Sequence, residues 1–278
     1  MKQKTCKCLY CWNIWKMTKE HVFTKSIVKE FFWWNWWLWY RNETQRYSID
    51  NQTLNKVCEK CNNEIFSQLD NKMKSFLELN FHKTLIYMWD KIKFQYNFYD
   101  LTRWILKTLN NSYAKNWYVT EDKSDFITQY KDYILWNTEN INFTCYVEVL
   151  RDIPLLDENN PFKYWEESQE EYKKRSRIIK TSNLCIRTNE KIHIIWKMLT
   201  IWDFIFYVFD KTFEESDNFI KQKWIIAQKL NENETNITLI VGATSFFDIV
   251  TSVYEWSKLH KFWKYYDEYK LKSKSNNK

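Results

Sequence analysis

Between residues 63 and 93 the apolar side chains Ile65, Phe66, Leu69, Met73, Phe76 and Leu77 recur three and four apart. That spacing lays one apolar stripe along a helix and predicts a single long helix over 63–93. A second helical pattern runs through 99–114 (YDLTRWILKTLNNSYA), with Asp100 expected as its N-cap, and a third through 122–135. The period then changes. Residues 142–151 (NFTCYVEVLR) alternate and are rich in β-formers, as are 176–187, 191–198 and 203–209. Strands so close together in sequence predict an antiparallel sheet. The polar stretch 157–174 reads as loop with a solvated helix, and 245–271 as an apolar-striped helix before the basic tail KLKSKSNNK. The expected fold class is α+β.

Bulk properties narrow this only a little. The 278 residues allow one large domain or two modest ones, and 45% hydrophobic with 28% charged residues excludes wholesale disorder. A net charge of +7 and a pI near 8.8 suit an anionic partner such as nucleic acid, although Lys and Glu alternate much as on ordinary solvated helix faces. No stretch reads as a signal peptide, and none reaches the roughly 18 apolar residues of a spanning helix. A cytoplasmic, reducing location without a membrane partner is therefore expected.

The cysteines sharpen the picture. Of the 7, Cys6, Cys8, Cys11, Cys58 and Cys61 lie in the first 61 residues, and that clustering in a reducing compartment points to metal rather than disulfides. Cys8 with Cys11 and Cys58 with Cys61 form two C-x-x-C knuckles. Four thiolates so arranged suit a tetrahedral structural Zn2+. Cys6 is an alternative register for Cys8. Cys145 and Cys185 fall in predicted strands and read as buried core thiols.

Composition is odd in one respect: 17 Trp stand beside 1 Gly. Residues with GC-rich codons are scarce and those with AT-rich codons abundant, which implies an AT-rich gene. A TGA codon differs from the glycine codon GGA by one base, so many tryptophans are expected to occupy ancestral glycine positions. Residues 31–40 read FFWWNWWLWY. A base-stacking platform and an interfacial membrane anchor are two readings of this run. The third, a loop with tryptophan in place of glycine, is the one adopted.

The lines CLYCWNIWKMTKEHVFTKSI and LNKVCEKCNNEIFSQLD resemble the zinc-stapled HNH endonucleases: C-x-x-C, then E-H and an apolar residue, then C-x-x-C-N opening a helix. The resemblance covers roughly residues 1–80. It implies a ββα-metal nuclease module there, followed by an α+β domain of separate role at 81–278. It also implies a metal-dependent endonuclease that hydrolyses phosphodiester bonds in DNA, or RNA. In that family the histidine is the general base, here His21, and imidazole titrates in the range suited to that task. The acid before it and the residue after the last cysteine hold a catalytic Mg2+ or similar ion, here Glu20 and Asn62. A middle asparagine supports the loop that presents the base. Family spacing falls on Thr53, with Asn51 and Asn55 close by, and Asn55 is assigned. His82, His193 and His260 lack such company and read as structural.

The chain departs from the family at Val22-Phe23-Thr24, where proline is usual. It departs again at Trp12, Trp15, Val28 and the tryptophan run, where glycine-rich turns are usual. These departures put loop geometry and activity at stake. They keep open a second function, a zinc-stapled nucleic-acid-binding protein with impaired catalysis.

Overall fold

The computed structural model describes residues 6–27, 39–41, 46–48, 53–80, 86–115, 123–152, 179–188, 191–210 and 227–242. The expectations for 31–38, 157–174 and 245–271, and for Asn51, His82 and His260, lie outside the described residues.

Short strands open the chain. β1 (Cys6–Lys7) pairs antiparallel with β2 (Ile14–Trp15). Next come β3 (Met17–His21), the mutually paired β4 (Trp39–Arg41) and β5 (Arg46–Ser48), and β6 (Thr53–Cys58). β6 returns antiparallel to β3, with Met17 opposite Cys58 and His21 opposite Thr53. Thr18 faces Val57 and Glu20 faces Leu54, so Asn55 and Lys56 together oppose Lys19. This is a β-bulge, and both bulged residues are exposed while Leu54 and Val57 on either side are buried.

A π-helical turn, Cys61–Phe66, leads into α1 (Ser67–Asn80). The helix predicted to reach residue 93 stops at Asn80. Its amide Nδ2 donates to the Phe76 carbonyl (2.9 Å) and the Gln95 carbonyl (2.8 Å), and its Oδ1 accepts the Gln95 N–H (2.9 Å). The side chain thereby ties the helix end to β7 (Lys91–Gln95), whose residues KIKFQ alternate out and in as a strand requires. α2 (Phe98–Lys115) starts one residue before its predicted bound. Its N-cap is Asn97 rather than Asp100: Asn97 Oδ1 accepts the Asp100 N–H at 3.0 Å, the capping geometry, while the Asp100 carboxylate pairs with Lys72 at 2.7 Å. α3 (Lys123–Ile134) matches its predicted span closely.

The sheet then follows with β8 (Phe143–Val149), β9 (Ile179–Thr188), β10 (Lys191–Ile201), β11 (Phe204–Asp210) and β12 (Gln228–Lys229). Their spatial order is β12-β8-β11-β10-β9, and every neighbouring pair is antiparallel. β13 (Asn236–Ile240) pairs with β7. The structure is thus α+β, as expected. β11 is apolar at almost every position because both its faces are covered. Phe204, Phe206 and Val208 join the main core, and Ile205, Tyr207 and Phe209 join a second cluster with Tyr146 and Leu150.

The main core is continuous from Cys8 to Val241. Phe94 lies 5.4 Å from Phe76 of α1 and 5.1 Å from Phe204 of the sheet, both edge to face, a geometry aromatic rings favour. α2 is buried from Leu101 to Ser112. It lies against α1 and α3 and reaches β6 and β10. Among the described residues no helix is long and apolar enough to cross a membrane.

Candidate functional site

The first knuckle is the turn of the β1–β2 hairpin. The Cys8 N–H donates to the Asn13 carbonyl (3.0 Å) and the Trp12 N–H to the Cys8 carbonyl (3.1 Å). The Leu9 N–H donates to the Lys56 carbonyl (2.8 Å), which fastens this turn to the bulged segment of β6. The second knuckle joins the last residue of β6, Cys58, to the first of the π-helical turn, Cys61.

The four Sγ atoms of Cys8, Cys11, Cys58 and Cys61 lie within 4.8 Å of one another. Cys8 and Cys61 are 3.9 Å apart and Cys11 and Cys58 are 3.6 Å apart. Sulfur atoms held about 2.3 Å from a tetrahedral zinc stand about 3.8 Å apart, whereas a disulfide needs about 2.05 Å. All four are free thiols, three buried and Cys11 half-buried. The Cys58 N–H also donates to Cys8 Sγ at 3.4 Å. The hydrogen bond shared by Cys8 and Cys61 lowers Cys8 to about 4, while that same bond and then burial raise Cys61. Four thiols this close shed their protons when a divalent cation takes them. The residues fit a closed structural metal site for an ion such as zinc, with Cys8 among its four members.

A polar cluster adjoins this centre, and α2 supplies much of it. Glu20 is 3% exposed. Its carboxylate meets Lys107 Nζ at 2.6 Å and accepts from Asn111 Nδ2 at 3.2 Å. Lys107 Nζ also lies 3.1 Å from Asp70 Oδ1 and 5.2 Å from the centroid of the Phe66 ring. Asp70 further accepts from Thr24 Oγ1 (2.5 Å) and Trp104 Nε1 (3.0 Å). Tyr10, within the first knuckle, donates to Asn111 Oδ1 at 2.6 Å and stacks edge to face on Phe66 at 4.7 Å. Burial pushes the Glu20 carboxyl up, with Lys107 opposing. Burial works against the Lys107 charge, but Asp70 and Glu20 outweigh it and hold its pKa up.

His21 ends β3, half-buried, and its carbonyl accepts from Asn111 Nδ2 at 3.4 Å. Burial first, then Lys25 and Lys107, lower its imidazole, so the neutral form holds at and above the usual range. The Asn62 amide donates to Thr18 Oγ1 at 2.9 Å, and Thr18 donates to the Val57 carbonyl at 3.1 Å, which ties the helix start to the β3–β6 ladder. Asn55 is exposed in the bulge.

Glu20 and His21 therefore sit side by side at the end of β3, whereas Glu20 and Asn62 are each engaged with other partners. The Lys107 ammonium is paired with the Glu20 carboxylate, whereas Asn62 spends its Nδ2 on the Thr18 hydroxyl, and an amide ligates a cation through Oδ1. Lys107, Asn111, Asp70 and Tyr10 escape a reading of the motif alone. Lys107 had a signal, a lone lysine in the apolar run WILKTL, since a buried cation needs a buried anion. Asp70 and Asn111 had none. No protein-family model matches the chain, and neither does any curated protein or solved structure.

Proposed function

We propose that this protein is a zinc-stapled HNH-type hydrolase of nucleic-acid phosphodiester bonds, with His21 as general base. One observation supports the reading above the others. Two antiparallel strands and a following helix are joined at one end by four converging thiols, and a half-buried neutral imidazole ends the first strand. Such an imidazole can accept a proton from water as that water attacks phosphorus. Asn111 holds the backbone at His21 and the side chain of Glu20 together, so α2 positions the end of β3. The net charge of +7 favours approach to a polyanion.

A second reading, nucleic-acid binding without cleavage, is favoured by the Lys107–Glu20 pair, which occupies the carboxylate that would otherwise hold a catalytic ion. Incubating the purified protein with plasmid and Mg2+ or Mn2+, with and without EDTA, separates the two. Nicking that His21→Ala abolishes, while zinc content is unchanged, supports the hydrolase. Retarded but intact plasmid supports the binding module. Nicking by His21→Ala at the parent rate removes the role of this residue.

A further inference from the structure

Among the described residues, four other than glycine adopt a positive φ, and all four are tryptophans: Trp12 (62°), Trp89 (72°), Trp136 (61°) and Trp202 (55°). For a bulky side chain this region is a genuine outlier, because Cβ crowds the carbonyl oxygen. Chance would have drawn Asn or Asp first, and Asn is abundant in this chain.

Each of the four stands where backbone geometry asks for glycine, and the four geometries differ. Trp12 closes the first knuckle, its N–H bonded to the Cys8 carbonyl. Trp89 is the third residue of the turn closed by the Asp90 N–H to the Tyr87 carbonyl (3.1 Å), where a type II turn needs positive φ. Trp136 follows α3. Its N–H bonds to the Tyr133 carbonyl (3.2 Å) and the next N–H, of Asn137, to the Asp132 carbonyl (2.8 Å). That pair of bonds is the Schellman motif, whose left-handed residue is usually glycine. Trp202 is the first of two residues linking β10 to β11, between the paired Ile201 and Phe204. A type II′ hairpin turn has glycine at that place.

Burial agrees for two of them. Trp12 is 50% and Trp89 63% exposed, an unfavourable use of the largest apolar side chain. Trp104 behaves oppositely. It is wholly buried within α2, is not among the positive-φ residues, and donates its indole N–H to Asp70. The totals agree as well. The 17 tryptophans and 1 glycine together come close to the share, about 7%, that glycine alone supplies in an average protein.

We propose that positions 12, 89, 136 and 202 are encoded by UGA and that the cell making this protein decodes it as glycine. The natural chain then carries no side chain at these four turns, while Trp104 is a true tryptophan encoded by UGG. The first knuckle is thereby relieved where the metal ligands converge. The inference does not depend on the nucleic-acid reading.

Peptide sequencing by tandem mass spectrometry of protein isolated from its source cells tests it. Glycine at the four positions with tryptophan at 104 is expected. Tryptophan at the four positions overturns the proposal whatever else is observed. Full-length chains made in a standard host give a second measure. Trp12→Gly and Trp89→Gly, at the two exposed turns, should each raise the folding equilibrium constant by about fivefold, whereas truncating Trp202, 3% exposed, also gives up core burial. Trp104→Gly should lower the constant by more than that factor. Losses at positions 12 and 89 as large as that at 104 would show that these turns do not want glycine.

Discussion

An ammonium without solvent access, 2.6 Å from Glu20 and 3.1 Å from Asp70, is held charged only by those carboxylates. Removing it strands the buried Glu20 and the half-buried Asp70. Lys107→Met should therefore cost about 3–5 kcal/mol, the range for breaking a buried pair from one side. Denaturant midpoints would show this, and a loss near zero would mean the cluster does not hold the module together. The pH dependence has a definite sign. Because the Lys107 pKa is raised, its contribution is present below the ordinary value of 10.5 and is lost as pH rises through the folded value. Glu20 is raised too, so its contribution falls as pH climbs from 4.5 through its folded value. His21 runs the other way. Its lowered pKa keeps the imidazole neutral below the ordinary 6.5. If it is the base, the acid limb of any cleavage profile should fall below pH 6.5, and a limb above it would assign the proton transfer to another group.

At the scale of elements, the turns and caps decide where pattern reading succeeds. The helical stripe of α1 and the runs of β-formers in β8 and β11 are visible in sequence because each of these elements buries one or both faces against a neighbour. The end of α1 is not visible that way. Nothing in the apolar spacing announces that Asn80 will leave the helix pattern and bond the backbone of β7. The cap of α2 is similarly ambiguous, since Asn97 and Asp100 are both good caps and only the bond to the Asp100 N–H selects between them. Asn97→Ala should therefore cost about 1 kcal/mol. Asp100→Ala should cost less, because its pair with Lys72 is largely solvated. The reverse order in thermal melts would restore Asp100 as the cap. The thiol site was legible because the knuckle spacing is local. The polar cluster was not, because Glu20 meets Lys107 only after α2 has docked.

For the whole molecule the question is whether the four-thiol site and the sheet are one folding unit or two. Residues 1–80 read as a separate module in sequence, yet the buried core runs without a break from Cys8 and Tyr10, through Phe66 and α2, to Phe204 and Val241. Lys107, Asn111 and Trp104 on α2 reach across to Glu20, Tyr10 and Asp70. Removing a cation held there would leave four thiols without the charge that offsets their mutual repulsion as thiolates, and structural zinc binding is in effect folding free energy. That loss should spread through α2 into the sheet. Treatment with a zinc chelator is expected to lower the midpoint of one cooperative thermal transition, seen alike by far-ultraviolet circular dichroism and by tryptophan fluorescence. Two transitions, with only the first shifted by chelator, would mean that the strands and helix at the metal fold independently and that α2 is a contact between units rather than their shared core.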